Sequence, residues 1–131
     1  MIRKGGIIMV QKMLEMKTWA VVGASENTDK FGWKIFKKLK DRGYKVYPIS
    51  PNYETIDGDK CYKTLTALPE KPDVIDMVIA PKYGINTIKE ASELGIQNIW
   101  LQPGTYNDEL LSLIEEAGLN SVKACVLIEL G

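Results

Sequence analysis

Histidine does not occur anywhere in this sequence. That gap removes the Ser-His-Asp and Cys-His pairings of nucleophilic catalysis, the imidazole general base and the histidine metal ligand. Cysteine is nearly as scarce. Cys61 and Cys125 stand far apart and form neither a CxxC zinc half-site nor a disulfide framework. Reduced thiols, and an N-terminus without a long apolar h-region or a small-residue cleavage site, point to a cytoplasmic protein. No run approaches the roughly 18 apolar residues that a membrane helix needs. An excess of either charge is missing too. The 17 basic residues balance the 17 acidic ones, which gives no support to a nucleic-acid or membrane-surface partner.

What remains is an ordinary globular composition. The 131 residues are 45% hydrophobic and 26% charged, enough for one domain with a real core. Residues 1–16 read as a tail with a short helical turn, and residues 17–131 as the folded domain. The stretch that organises the domain is Thr18-Trp19-Ala20-Val21-Val22-Gly23-Ala24-Ser25. An apolar strand ends in three small residues, and an amphipathic helical pattern starts at about Lys30, with Phe31, Ile35 and Leu39 on one face. Small residues let a ligand approach the backbone, and free amides at a helix N-terminus attract anions.

The same βα unit repeats. Strands are expected at Lys45–Ile49, Val74–Ile79, Asn98–Leu101 and Ser121–Leu127. Helices are expected at Tyr83–Glu93 and after Asn107 or Asp108, a plausible N-cap. Such alternation predicts an α/β, Rossmann-like, doubly wound domain: a five-stranded parallel sheet in the order 3-2-1-4-5, flanked by helices on both faces. Ligands of such sheets bind beyond the carboxyl ends of the strands, near the switch in strand order. Four loops of small, polar and proline residues gather there: Gly23-Ala24-Ser25, Ser50-Pro51-Asn52, Ala80-Pro81-Lys82 and Gln102-Pro103-Gly104. Together they suggest a nucleotide-sized groove.

Two common phosphate-binding signatures are missing. Gly23 is followed by Ala24-Ser25, and the next glycine is Gly32, so there is no GxGxxG; no GK[ST] follows the turn either. The second strand ends in Ser50-Pro51-Asn52, where an NAD site wants an acid for the ribose hydroxyls. Without that carboxylate, and with Lys30 or Lys34 at hand, a ribose-phosphorylated ligand is favoured: coenzyme A or NADP rather than NAD. Trp33, close to the loop, is a candidate to rest on an adenine. Trp19 and Trp100 read as packing residues, and Cys125 as a small residue at a strand end.

Several segments resemble one family. They are Val21-Val22-Gly23-Ala24-Ser25 with Lys30 after it, Gly43 through Asn52, Ile99-Trp100-Leu101-Gln102-Pro103-Gly104, and Cys125 with Glu129. In order and spacing they resemble the small CoA-binding domain proteins, stand-alone relatives of the CoA-binding domain in the α subunit of succinyl-CoA synthetase. The resemblance runs from about Thr18 to Glu129. It implies a Rossmann-like fold whose small-molecule ligand is coenzyme A or an acyl-CoA. By position, Gly23, Ala24 and Ser25 would hold the pyrophosphate through their amides, and Lys30 would contact a phosphate. Ser50 and Asn52 would flank the adenosine. Ala80, Pro81 and Lys82 would line the middle of the groove, and Gln102 the pantetheine path. The chain departs from the family pattern at Phe31-Gly32 and at Lys123-Ala124. The synthetase relatives work through a phosphorylated histidine in a second domain. This chain has no histidine, so the expected role is non-catalytic binding, as a sensor or carrier. A small NADP-dependent redox protein, or a partner-binding subunit with a vestigial pocket, is the alternative.

Overall fold

The computed structural model describes residues 4–131, with side chains from Ile8 onward. Helix α1 (Lys4–Glu15) leads into strand β1 (Thr18–Val22). The short helical turn expected before the domain is thus a 12-residue helix. Its Met13 is fully buried in the cluster that holds Trp19 and Trp100.

Strand β1 is apolar at every position after Thr18 because both of its faces are covered. Trp19 and Val21 point into one cluster with Ile35, Phe36, Leu39, Trp100 and Val126. Ala20 and Val22 point into another with Ile75, Met77, Ile88, Ile99, Leu101 and Leu110. Helix α2 (Phe31–Asp41) covers the first face. Helices α3 (Pro81–Leu94) and α4 (Asp108–Glu116) cover the second. This two-sided burial is what a parallel sheet requires.

The sheet has five parallel strands, as expected. The observed order is β2 (Lys45–Ile49), β1, β5 (Val74–Met77), β6 (Asn98–Leu101), β7 (Asn120–Lys123). In sequence order of the parallel strands this is 2-1-3-4-5, whereas 3-2-1-4-5 was expected. The third parallel strand pairs with β1 and leaves β2 at the edge. Pro48 explains the preference. Its carbonyl accepts from the Tyr62 amide on the outer side of β2, at 2.9 Å, while the neighbouring Ile49 carbonyl faces β1. The N–H that proline lacks would therefore face outward, where an inner strand would have needed it. The switch in strand order falls between β1 and β5, and that places the crevice there.

Other differences are local. Glu54–Tyr62, expected as loop, contains the small antiparallel hairpin β3 (Thr55–Ile56) and β4 (Asp59–Lys60). Its Asp57-Gly58 turn has φ of 50° and 79°, the paired positive values of a two-residue hairpin turn. The fifth parallel strand stops at Lys123 and is followed by α5 (Val126–Glu129). Side chains draw the backbone off the ladder there: Trp100 Nε1 donates to the Ala124 carbonyl at 2.9 Å, and the Val126 amide donates to Gln102 Oε1 at 3.0 Å.

Candidate functional site

The crevice at the carboxyl ends of β1 and β5 opens into a cavity of about 940 Å³. That is the upper range for small-molecule sites. The β1–α2 loop forms one wall. Gly23, with φ of 101°, turns the chain, and a Cβ there would lie 2.7 Å from Ile79 Cγ2. Gly32, in the first turn of α2, lies against the loop: a Cβ on it would overlap the Gly23 carbonyl oxygen and lie 3.2 Å from the Ser25 nitrogen. Only glycine at 32 lets the helix start this close to the turn.

The amides of the turn divide into two groups. Those of Gly23 and Ala24 both donate to the Ile49 carbonyl, at 3.0 and 3.3 Å. They tie the turn to β2, so they are not free donors. The amides of Ser25, Phe31 and Gly32 make no hydrogen bond among the described residues. Helix α2 also has no side-chain cap and no acid in its first turn. By contrast, Asn107 caps α4 by accepting from the Leu110 amide, as its sequence suggested. An uncapped N-terminus beside a cavity carries partial positive charge. The loop itself is held in shape. The Asn27 amide donates to Ser25 Oγ (3.0 Å), the Asp29 amide donates to Asn27 Oδ1 (3.0 Å), and Ser25 Oγ meets the Tyr53 hydroxyl at 3.2 Å.

The opposite wall carries Ser50, Pro51, Asn52, Tyr53, Lys63 and Thr64. Ser50 is buried and braces its own loop by accepting from the Asn52 amide at 3.2 Å. Lys30 and Lys63 both reach the rim, both are exposed, and neither has an ion-pair partner among the described residues. Two acids also line the cavity, Asp29 and Glu90. Glu90 is engaged: it accepts from the amides of Leu65 and Thr66 and from the Thr66 hydroxyl, the last at 2.7 Å.

A second cavity of about 270 Å³ adjoins the first, and the two share Phe31, Val78 and Ile79. Ala80 and Gln102 line this one, with Ile35, Thr105 and Cys125. Cys125 is half-buried, with its Sγ 3.5 Å from Gln102 Nε2.

The geometry thus brings Gly23, Ala24, Ser25, Lys30, Ser50 and Asn52 to the larger cavity and Ala80 and Gln102 to the smaller one. Pro81, Lys82 and Trp33 line neither. Pro81 begins α3, and Lys82 Nζ lies 4.9 Å from the Tyr83 ring centroid. Trp33 is turned the other way and packs against the cluster around Trp19 and Phe36. It is the third residue of α2 and flanks the buried face made by Gly32, Ile35, Phe36 and Leu39. Lys34, the other cation considered, lies 5.8 Å over the Phe31 ring.

Sequence reasoning missed three features. Lys63 follows a short strand that was not expected. The isolated Gly32 inside a helical pattern was the available signal for the close helix–loop approach. Asp76 carried no signal, because it stands in an apolar strand between Ile75 and Met77. Its carboxyl is fully buried, in register with Val21 and Trp100, and neither oxygen has a hydrogen-bond partner among the described residues. Burial raises its pKa well above the ordinary carboxylate value.

Residues 17–131 match the family described as "CoA binding domain". The chain belongs to that family. Among curated relatives, it is 36% identical to the α subunit of an ADP-forming acetate–CoA ligase II from Pyrococcus furiosus. That match covers 61% of this chain and 18% of the ligase subunit. A stand-alone relative is the uncharacterised protein YneT of Bacillus subtilis, 26% identical over 78% of this chain and 76% of YneT. Among solved structures, a conserved hypothetical protein from Pyrococcus furiosus superposes with a TM-score of 0.83 at 40% identity, covering 86% of this chain and 98% of that one. The family assignment and the Rossmann-like parallel sheet agree with the resemblance read from the sequence. This CoA binding domain spans only a small fraction of the curated ligases it matches. Among its described residues, no helix is long and apolar enough to cross a membrane.

Proposed function

We propose that this chain is a non-catalytic binder of coenzyme A or an acyl-CoA, held in the crevice at the carboxyl ends of β1 and β5, and that it serves as a cytoplasmic sensor or carrier. The observation that carries the reading is the close approach of Gly32 to the Gly23–Ser25 turn. It leaves the amides of Ser25, Phe31 and Gly32 without partners among the described residues, beside a cavity of nucleotide size. These donors fit a diphosphate. Lys30 and Lys63 add positive charge at the rim, and Ser50 and Asn52 flank the adenosine without presenting a carboxylate to a ribose phosphate. The pyrophosphate role expected of Gly23 and Ala24 passes to Ser25 and the first turn of α2. Gly23 and Ala24 shape the turn instead. Coenzyme A supplies a thiol for acyl attachment when bound, and the protein's part is to hold and orient it. The sequence provides no histidine to accept a phosphoryl group.

Calorimetric titration with coenzyme A, acetyl-CoA, NAD and NADP tests the reading. Binding of the CoA compounds with little or no response to either nicotinamide cofactor is expected. Binding of a nicotinamide cofactor alone, or of none of the four at micromolar concentration, would overturn it.

A further inference from the structure

We propose that the smaller cavity takes the thioester end of a short, uncharged acyl-CoA, with Gln102 Nε2 donating to the thioester carbonyl. The inference rests on the CoA reading of the larger cavity and specifies its ligand.

The two cavities share one wall, so a ligand whose nucleotide end fills the larger has direct access to the smaller. At about 270 Å³ the smaller cavity lies below the roughly 300–1,000 Å³ that holds a whole small-molecule ligand. It suits the end of a molecule. Its apolar surface comes from Phe31, Ile35, Val78 and Ile79, and among the described residues no lysine, arginine, aspartate or glutamate lines it. A carboxylate-terminated acyl group would be desolvated there without a counter-charge.

Among the side-chain N–H groups that line the smaller cavity, one is left over. The Thr105 hydroxyl donates to the Gln102 carbonyl at 2.7 Å. Gln102 Oε1 accepts twice, from Trp100 Nε1 at 2.9 Å and from the Val126 amide at 3.0 Å. These bonds fix which end of the carboxamide is nitrogen. Of its two N–H groups, one meets Cys125 Sγ at 3.5 Å. The other has no partner among the described residues, on a residue that is only 4% exposed. A buried donor left over in this way calls for an acceptor. In an apolar, uncharged cavity at the far end of a CoA ligand, a thioester carbonyl meets that need. Phe31, 64% exposed at the junction of the two cavities, would be covered by the bound acyl–pantetheine arm.

The test is a calorimetric series with coenzyme A, acetyl-, butyryl-, succinyl- and palmitoyl-CoA. Acetyl- and butyryl-CoA should bind on the order of tenfold tighter than coenzyme A, as expected for one neutral hydrogen bond and a few buried carbons. Succinyl- and palmitoyl-CoA should gain nothing over coenzyme A. Cys125→Phe, which fills the cavity, should bring the acyl-CoA to CoA affinity ratio back to one. Should that variant fail to fold, Ala80→Trp, at an exposed wall position, serves in its place. A flat wild-type series, a palmitoyl gain equal to the butyryl gain, or a ratio that survives the filled cavity would overturn the proposal while leaving CoA binding intact. If no member of the series binds, the CoA reading falls as well.

Discussion

Gly32 sits directly on the Gly23 carbonyl, in a space that a single methyl group would occupy. The first turn of α2 is thereby pressed against the turn that leaves β1, and the unpartnered amides of both come together. Gly32→Ala should force the helix and the loop apart. Loss of CoA binding is expected at ligand concentrations that saturate the wild type. The accompanying stability loss should be about 1–3 kcal/mol, as for overpacking elsewhere, read by urea denaturation. A variant that bound CoA normally would show that the close approach is not needed.

Lys30 lies at the entrance to α2, with an exposed side chain and no ion-pair partner among the described residues. Lys30→Ala should weaken CoA binding by roughly tenfold, the order expected for one exposed charge-assisted contact. Its effect should shrink as salt is added, because the contact is screened. Titrations at low and high ionic strength measure both. Equal affinity for variant and wild type at low salt would remove Lys30 from the site.

Trp33 faces the core rather than the cavity. Trp33→Ala should therefore lower the unfolding free energy by about 2–4 kcal/mol, somewhat less than a fully buried tryptophan would. CoA affinity of the folded variant should stay at the wild-type value. A selective loss of affinity with unchanged melting temperature would return Trp33 to the adenine.

Asp76 is a carboxyl shut into the sheet interior with no hydrogen-bond partner among the described residues. Its pKa is raised in the folded protein by desolvation. The folded state then holds a proton that the unfolded state releases once the pH exceeds the ordinary carboxylate value. Its contribution is complete below that value and is lost as the pH rises toward the folded pKa. Wild-type stability should fall over that window, and Asp76→Asn should flatten the fall. Asp76→Val should also raise stability at neutral pH by about 1–3 kcal/mol, since an unsatisfied polar group is replaced by an apolar one. Denaturation curves collected from acidic to mildly alkaline pH give both slopes. Parallel slopes for wild type and Asp76→Asn would show that Asp76 is not the titrating group.

The elements that were legible in the sequence are the apolar strand runs and the helices with one apolar face. Strands β1, β2 and β6 have the expected bounds, each a short apolar run opened by a polar residue. Strand order was not legible, because it depends on which side of β1 the third parallel strand docks. Pro48 held the clue, since a missing N–H is harmless only at an edge. The loops of the site could be read as a rim, but the direction of each amide could not. Composition alone does not reveal that Gly23 and Ala24 donate to Ile49 while Ser25 does not. Trp33 and Phe31 show the same limit. They stand two positions apart on one helix, and a rotation of the helical wheel decides which aromatic meets the crevice. Lys63 depends on long-range packing in the same way.

The outward-facing proline of β2 has a bearing on self-association. With Pro48 unable to donate and Tyr62 already bonded along that flank, a further strand finds no continuous ladder on the β2 side. Recruitment of a neighbour's strand is left to the opposite margin, β7. There the exposed Asn120, Ser121 and Lys123 discourage a dry, fibril-like contact.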